Sequence, residues 1–254
     1  MNLQNAVAIV TGSSSGVGAA TARLLAGQGC RVVVNYSRSA AAAEAIAKEC
    51  EALGSEAVVC QANVAEDEDC RRLVAAALEK WGRLDALVNN AGTTKFVNHA
   101  DLAGLDKQDF FDIYGVNVVG PYQMVRAAEA ALRASGDASV VNVSSIAGVR
   151  GVGSSIAYAA SKAALINMTR SLARVLGPEI RVNCVCPGFI AGEWLKQGLG
   201  EETYARAKQQ AESRAPLHRV CTPESVAESI LGFIDGHSII TGEHIILDGG
   251  QHLM

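Results

Sequence analysis

The sequence has few aromatic residues, no long apolar run and no basic cluster. Aromatic residues occupy 5% of the 254 positions, whereas 25 glycines and a hydrophobic fraction of 49% supply many small side chains. Structural elements therefore have to pack closely around small residues, and a disordered, collagen-like or disulfide-scaffold chain is excluded. Since no stretch approaches the roughly 18 apolar residues that span a bilayer, we expect no membrane partner. The N-terminal segment also lacks the features of a signal peptide.

Charge and cysteine usage narrow the possible partners and the compartment. The longest basic run is the Arg71-Arg72 pair, and the formal net charge is -4. This offers no footprint for nucleic acid, so we expect no nucleic-acid partner. Seven cysteines without a CxxC pair predict free thiols and a cytoplasmic location. Cys184 and Cys186 form a CxC, but no His lies at ligand spacing, so we expect buried thiols and no metal site.

Short β-branched runs alternate with longer Ala- and Leu-rich helical patterns along the whole chain. The β-branched runs are mostly continuously apolar, which is typical of strands that are covered on both faces. This order predicts an α/β fold, a doubly wound parallel sheet of about seven strands with helices on both faces. The predicted strands are residues 6–11, 31–36, 57–61, 86–88, 139–143, 180–185 and 244–247.

The chain shows neither a linker nor a repeat, so we expect a single domain over residues 1–254. Residues 189–214 are polar and carry Trp194 and Tyr204, a composition that fits a helical substrate lid. We expect both aromatic residues to anchor the lid rather than to contact substrate. Because sheets of this kind bind ligands at the carboxyl ends of their strands, the residues that follow each strand are the candidates for a site.

A glycine-rich turn follows the first predicted strand and leads into a helix. It reads Thr11-Gly12-Ser13-Ser14-Ser15-Gly16-Val17-Gly18. Glycines allow a tight turn and a close approach of the backbone to a pyrophosphate, which the free N–H groups of a helix N-terminus attract. Taken alone, the pattern also fits an ordinary tight turn.

Tyr158 and Lys162 lie four residues apart on a helical pattern and so share one face of the helix. An ammonium about 5 Å from a phenol favours the phenolate by about 3 kcal/mol, or roughly two pKa units. We therefore predict that Lys162 lowers the pKa of Tyr158 toward the range for proton exchange with a substrate. Ser145 directly follows the fifth predicted strand, where its hydroxyl can hydrogen-bond a carbonyl oxygen. Together the three residues describe a carbonyl/alcohol site.

Five motifs in this order resemble the short-chain dehydrogenase/reductase family. They are the glycine-rich turn, Asn89-Asn90-Ala91-Gly92, Ser145, Tyr158-Ala159-Ala160-Ser161-Lys162 and the closing Leu247-Asp248-Gly249-Gly250. The wording is nearest to 3-oxoacyl-carrier-protein reductases. The resemblance implies a Rossmann-type fold, hydride transfer between a nicotinamide and a carbonyl or secondary alcohol, and a homotetramer.

The resemblance also implies four catalytic residues. Tyr158 matches the acid/base, Ser145 the residue that orients the substrate, and Lys162 a residue that also binds the nicotinamide ribose. Asn117, in a helix predicted over residues 107–131, matches the position that supports a water chain to the lysine.

Cofactor choice depends on the end of the second predicted strand. A carboxylate there would bind the adenosine ribose 2′-hydroxyl and repel a 2′-phosphate. This chain has Tyr36, Ser37 and Arg38 instead, and a hydroxyl with a guanidinium suits a phosphate. We predict NADP(H) over NAD(H); the alternative is that Arg38 only faces solvent. The resemblance adds cofactor contacts at Gly12, Ser14, Ser15, Gly16, Val17, Gly18, Asn63, Val64, Asn90, Ala91, Gly92, Pro187, Gly188 and Ile190, besides Tyr158 and Lys162.

The chain departs from the family pattern at two places. Gly192 stands where the family commonly has a Thr that holds the nicotinamide carboxamide. The acidic residues Asp137 and Glu179 lie in loops without the cation that meets an acidic carrier protein in the nearest subgroup, which disfavours such a partner. A basic surface could still come from Arg126, Arg133, Arg170 and Arg174.

These observations predict an NADP(H)-dependent oxidoreductase acting reversibly on a small-molecule carbonyl or alcohol, with a 3-oxoacyl thioester as one candidate substrate. Two alternatives stay open. One is an NAD-dependent sugar or alcohol dehydrogenase, and the other is a non-catalytic NADP-binding sensor or scaffold.

Overall fold

The computed structural model describes residues 1–254 and contains one seven-stranded sheet. All neighbouring strands pair in parallel, in the order β3-β2-β1-β4-β5-β6-β7. The predicted doubly wound α/β class is therefore confirmed. The strands are Val7–Val10 (β1), Arg31–Tyr36 (β2), Ala57–Gln61 (β3), Ala86–Asn89 (β4), Ala138–Val143 (β5), Ile180–Pro187 (β6) and His244–Leu247 (β7).

Ten α-helices connect or follow these strands. They are Gly16–Gly27 (α1), Ala40–Ala52 (α2), Asp67–Trp81 (α3), Lys107–Tyr114 (α4), Gly120–Ser135 (α5), Ile146–Arg150 (α6), Ile156–Leu176 (α7), Glu193–Leu199 (α8), Glu201–Arg214 (α9) and Pro223–Asp235 (α10). The segment predicted as a helical lid thus forms α8 and α9. No helix has both the length and the apolarity that crossing a bilayer demands.

Alternate residues of the strands feed two hydrophobic cores, one on each face of the sheet. In β1, Ala8 and Val10 join residues of α1, α2 and α10, whereas Val7 and Ile9 join residues of α3, α5 and α7. Phe233 and Tyr204 are the aromatic residues among the buried side chains. Small aliphatic residues therefore fill the interior, as the composition predicts.

The predicted helix over residues 107–131 is wrong in its continuity and in its end. Residues Gly115–Val119 form a π-helical turn between α4 and α5, and α5 continues to Ser135. A π-turn inserts one residue into the helical repeat, and a hydrophobic period does not reveal such an insertion. Its consequence is local, because the inserted turn holds Asn117 fully buried.

Candidate active site

The strand order reverses between β1 and β4, and the loops after these two strands lie against each other. The Asn90 side-chain amide donates to the carbonyls of Thr11 and Gly12 at 2.9 and 3.1 Å. A Cβ at Gly12 would lie 3.0 Å from Ala91 Cα. The two loops therefore form one continuous wall at the point where sheets of this class bind ligands.

The glycine-rich turn has the shape of an anion cradle. Gly12 and Gly16 have φ of +63° and +54°, the left-handed region that favours glycine. At position 18 a side chain is excluded by a steric clash, because a Cβ on Gly18 would lie 2.5 Å from the Gly12 carbonyl oxygen. The N–H groups of residues 16 to 18 have no acceptor in the protein, and the Ser15 side chain does not cap α1. Donors left free in this way fit the pyrophosphate of a dinucleotide.

Asn35 is a structural residue of this wall to which the sequence analysis gave no role. Its side-chain oxygen accepts the Gly12 N–H at 2.8 Å, and its amide donates to the Ala62 carbonyl at 3.1 Å. Asn35 is buried, so one side chain ties together the ends of β1, β2 and β3. The signal was available, since a polar residue interrupts an apolar strand.

The residues predicted to choose the cofactor lie at the same edge of the sheet. Tyr36 is half-buried at the end of β2, while Ser37 and Arg38 are exposed. Asn63 and Val64 follow β3, and the Asn63 side-chain oxygen accepts the Ala65 N–H at 3.2 Å. No acidic residue stands among residues 35–38, so the rim of this wall is free to accept a phosphate.

Helix α7 presents Tyr158 and Lys162 on one face, as their spacing predicts. Ser155 caps the helix by accepting the Tyr158 N–H at 3.3 Å. Lys162 is 4% exposed, and its Nζ lies 5.6 Å from the centre of the Tyr158 ring. Its ammonium donates to the Val143 carbonyl at 2.8 Å. This cation is therefore buried against a backbone oxygen rather than a carboxylate.

The predicted direction of the Tyr158 pKa shift is wrong. Burial raises the pKa of Tyr158 to about 12, and the hydrogen bond with Ser145 only partly opposes that rise. Burial also lowers the pKa of Lys162 to about 8. Loss of solvation around Tyr158 and Lys162 outweighs the attraction expected between the two groups, because it disfavours the charged form of each.

Ser145 is positioned by helix α6, which begins immediately after it. Its Oγ accepts the Ala147 N–H at 3.1 Å. Gly148 lets α6 pack directly on α7, since a Cβ there would lie 2.5 Å from the Lys162 carbonyl carbon. The neighbouring Ser144 is buried and donates to the Lys162 carbonyl at 2.8 Å. The Ser144 hydroxyl is therefore engaged with the backbone, and Ser145 is the serine that acts on the Tyr158 hydroxyl.

Asn117 fastens the loop after β4 to α7. Its side chain accepts the Thr93 N–H at 2.8 Å and donates to the Thr93 carbonyl and to Ser161 Oγ, both at 3.0 Å. A Cβ at Gly92 would have Asn117 Oδ1 and Lys162 Nζ as near neighbours, at 3.4 and 3.5 Å. The fold thus brings all four predicted catalytic residues to one edge of the sheet, although their chemical roles stay predictions.

The predicted contacts after β6 also lie at this edge. Gly188 packs against β7, since its Cβ would lie 2.7 Å from Asp248 Cβ, and Ile190 pairs with Cys221. Pro187 is the buried last residue of β6. At Gly192, where the family commonly has Thr, a Cβ would have no other atom within 4 Å. The structure therefore has room for a side chain at position 192.

The two lid aromatics behave differently. Tyr204 is buried, packs on Phe189 with ring centres 5.4 Å apart, and accepts the Gly192 N–H at 3.3 Å. It thus anchors the segment that is predicted to be a lid. Trp194 is 50% exposed and lies against Tyr158, with ring centres 6.3 Å apart.

Two of the four arginines of the predicted basic surface are paired with carboxylates of the chain itself. Arg133 forms ion pairs with Glu129 and Glu179, and Arg126 pairs with Asp67. Arg170 lies 3.4 Å from His244 Nδ1. Of the four arginines in question, Arg174 alone forms no ion pair or side-chain hydrogen bond.

Three comparisons with known proteins agree on the family, while the activities that their descriptions name differ. A family model described as enoyl-(acyl carrier protein) reductase matches residues 12–252. A protein named as ketoacyl reductase 2 of the granaticin polyketide synthase of Streptomyces violaceoruber is 45% identical over 248 residues, which cover 98% of this chain and 96% of that protein. A 3-oxoacyl-[acyl-carrier-protein] reductase of Thermotoga maritima is 36% identical over 252 residues, with 98% and 99% covered. The crystal structure of a protein described as a short-chain dehydrogenase/reductase from Burkholderia xenovorans matches with a TM-score of 0.91 at 39% identity, covering 98% of this chain and 99% of that one.

Proposed function

Because the chain belongs to the short-chain dehydrogenase/reductase family, we propose that it is an NADP(H)-dependent carbonyl reductase that also runs in the alcohol-oxidising direction. The observation that carries this proposal is the juxtaposition of Ser145, Tyr158 and the buried Lys162 beside an anion cradle. A buried ammonium without a carboxylate partner is costly to the fold, and such groups concentrate at functional sites.

The cofactor site extends along the carboxyl edge of the sheet. The glycine turn with Ser14 and Ser15 would bind the pyrophosphate, and Arg38 with Ser37 would bind the 2′-phosphate. When bound, NADPH supplies the hydride for carbonyl reduction. The remaining predicted contacts are proposed to line the adenine and nicotinamide ends: Tyr36, Asn63, Val64, Asn90, Ala91, Gly92, Pro187, Gly188 and Ile190.

The side chains of the site would donate the proton of the reaction and stabilise the charge that its transfer creates. Tyr158, with a pKa of about 12, is protonated at neutral pH and donates its hydroxyl proton to the carbonyl oxygen as that oxygen gains charge. Ser145 donates a second hydrogen bond to the same oxygen. The Lys162 ammonium stabilises the phenolate that Tyr158 becomes, and Asn117 holds the adjoining loop in place. In the oxidising direction Tyr158 takes the proton back.

The substrate is proposed to be a small carbonyl compound, with 3-oxoacyl thioesters as candidates. This rests on relatives named as ketoacyl and 3-oxoacyl reductases. Because Arg126 and Arg133 are already paired with carboxylates of the chain itself, they give no support to an acidic carrier protein over a free thioester. We also propose a homotetramer and a cytoplasmic location for the protein, with residues 1–254 as one domain and α8–α9 as its substrate lid.

The proposal is tested by cofactor oxidation over a panel of carbonyl compounds with NADPH and with NADH. Arg38→Glu should raise the KM for NADPH on the order of 10- to 100-fold, since a hydrogen bond between charged groups contributes about 1.5–3 kcal/mol. The KM for NADH should change little. Lys48→Glu makes the same charge change at an exposed position of α2 and should alter neither value.

Preference for NADH in the unmodified protein would overturn the cofactor assignment and favour an NAD-dependent sugar or alcohol dehydrogenase. Tight NADPH binding without turnover of any carbonyl or alcohol would overturn the enzyme assignment and favour a sensor.

A further inference from the structure

Three aromatic rings form a continuous cluster over the proposed reaction centre. The Trp194 ring lies between Phe96, at 5.7 Å between ring centres, and Tyr158, at 6.3 Å. Both ring pairs are tilted, at 55° and 44°, and both distances fall in the range of favourable aromatic contacts. We call Phe96 and Trp194 the aromatic clamp. It places flat apolar surface next to the hydroxyl that is proposed to donate the proton.

Helix α8 packs closely against the Phe96 ring through Gly198. Trp194 and Gly198 are four residues apart and so lie on the same face of α8. A Cβ at Gly198 would lie 2.1 Å from two carbon atoms of the Phe96 ring. The Phe96 ring therefore occupies the space that any larger residue at 198 would take, and the lid fits closely over that ring.

The loop that carries Phe96 is held against the segment that leads into α7. The loop that carries Phe96 is joined to Ser154 twice, through Val97 N–H to the Ser154 carbonyl at 2.8 Å and through Thr94 Oγ1 to Ser154 Oγ at 2.7 Å. Ser154 directly precedes the cap of α7. These two hydrogen bonds thus fix the position of the Phe96 loop relative to the start of α7, the helix that carries Tyr158.

The segment between Ser145 and Tyr158 exposes several apolar side chains. Val149, Val152 and Ile156, all between Ser145 and Tyr158, are 41%, 47% and 38% exposed. The charges that flank Trp194 on α8 neutralise each other, with Glu193 and Lys196 3.1 Å apart. A polyhydroxylated substrate would lose water here without gaining hydrogen bonds, which is unfavourable.

We infer that the aromatic clamp selects carbonyl substrates that carry a flat, apolar group next to the carbonyl, such as an aryl ketone, over open-chain aliphatic and sugar-like carbonyls. This inference rests on the proposed function and narrows it, because it ranks aryl ketones above simple 3-oxoacyl thioesters as substrates of the same site. Trp194 supplies a face on which the flat group stacks while the carbonyl oxygen reaches Tyr158 and Ser145. In this account Trp194 and Phe96 determine specificity and take no part in proton transfer.

The test compares kcat/KM for acetophenone, ethyl acetoacetate and fructose with NADPH. The unmodified protein should prefer acetophenone. Trp194→Ala should lower kcat/KM for acetophenone about 3- to 10-fold more than for ethyl acetoacetate, because one aromatic contact is lost. Trp194→Phe should recover most of the difference. Gly198→Ala should reproduce part of the loss by displacing Phe96, whereas Gln197→Ala, exposed on the same helix, should leave all three values unchanged.

Equal losses for acetophenone and ethyl acetoacetate in Trp194→Ala would overturn the inference, and so would a gain with acetophenone or a wild-type preference for fructose. The proposed function has a separate control, since Tyr158→Phe must abolish turnover of every substrate. If Tyr158→Phe is inactive and Trp194→Ala changes no ratio, only the inference fails.

Binding gives a readout that does not depend on turnover. Acetophenone should quench the tryptophan fluorescence of the unmodified protein, and the quenching should disappear in Trp194→Phe, where Trp81 remains as the internal reference. Quenching that persists in Trp194→Phe would contradict a ligand stacked on Trp194.

Discussion

At the residue scale, the burial of the charged Lys162 lowers the stability of the fold at its proposed active site. Its ammonium is 4% exposed and reaches a backbone carbonyl as its hydrogen-bond acceptor. Burial lowers its pKa from 10.5 to about 8, so at neutral pH the folded protein still carries a charge that water would solvate better. A core selected for stability alone would place an apolar side chain here.

Replacing Lys162 by Met should therefore stabilise the protein at pH 7, on the order of 1–3 kcal/mol in the free energy of unfolding. The folded pKa lies below the unfolded one, so the unmodified protein gains stability as the pH rises from about 8 to 10.5. The advantage of Lys162→Met should shrink over that interval. Urea unfolding at pH 7 and pH 10 measures it, with Lys48→Met as the exposed control. A variant that is less stable than the unmodified protein at pH 7 contradicts this account.

The same titration predicts the pH dependence of reduction. The proposed mechanism uses Lys162 in its charged form, and Tyr158, with a pKa of about 12, stays protonated throughout. The kcat/KM for carbonyl reduction should thus fall as the pH rises through about 8, since this ratio reports the groups of the free enzyme. A profile that rises across pH 8 would assign the limiting titration to another group.

At the element scale, the site depends on how α6 and the π-turn meet α7. Gly148 allows α6 to contact the α7 backbone, and Asn117 in the π-turn binds both Thr93 and Ser161. Each contact fixes one side of the Tyr158–Lys162 helix. π-turns are frequent at functional sites, and here the turn is what directs the Asn117 amide into the interior.

Gly148→Ala should separate α6 from α7, because the added carbon would lie 2.5 Å from the Lys162 backbone. We expect a loss of about 1–3 kcal/mol of stability from overpacking and a lower kcat from the displaced Ser145. Thermal unfolding and turnover measure the two effects. Gly27→Ala, at the end of α1 with nothing within 4 Å of the added carbon, should cause neither. Equal behaviour of the two variants would show that the α6–α7 contact is not tight.

The elements also show what the sequence could predict. Continuous apolar runs located all seven strands to within two residues at either end, because burial on both faces leaves an unbroken signal. The π-turn at Gly115–Val119 was not predicted, since it depends on contacts between distant segments rather than on a local hydrophobic period. The Tyr158 pKa was mispredicted for a related reason. Spacing on a helix reveals the neighbouring charge, whereas the degree of burial depends on the packing of α6, α7 and the lid.

At the scale of the whole molecule, the strand order places the site. The reversal between β1 and β4 gathers the ends of six strands, from the glycine turn to Ile190, along one edge. The motifs predicted the family and the alternation of strands and helices predicted the fold class, and the comparisons and the strand order confirm both. The covering of Tyr158 by Trp194 was not foreseen, because the lid sequence gives no signal of which face of α8 turns inward.

Exposed apolar residues on α4, the π-turn and α5 bear on the proposed assembly. Phe111, Val119 and Tyr122 are 57%, 44% and 48% exposed, an unusual amount of apolar surface for a helix pair that faces water. We expect a particle of four times the 26.4 kDa chain mass by light scattering. Phe111→Asp should lower that mass, whereas Leu53→Asp, exposed at the end of α2, should preserve it. A monomeric unmodified protein would contradict the tetramer.

Tyr158 is the proposed proton donor in carbonyl reduction at this site. Its most direct test is turnover of Tyr158→Phe with NADPH and a carbonyl substrate of the unmodified protein, alongside NADPH affinity measured by titration. Turnover should fall by at least about 1,000-fold, on the order of 4 kcal/mol of transition-state stabilisation. NADPH affinity should stay within about twofold, because the hydroxyl is not proposed to hold the phosphates. Turnover retained within tenfold would show that the phenol is not the proton donor.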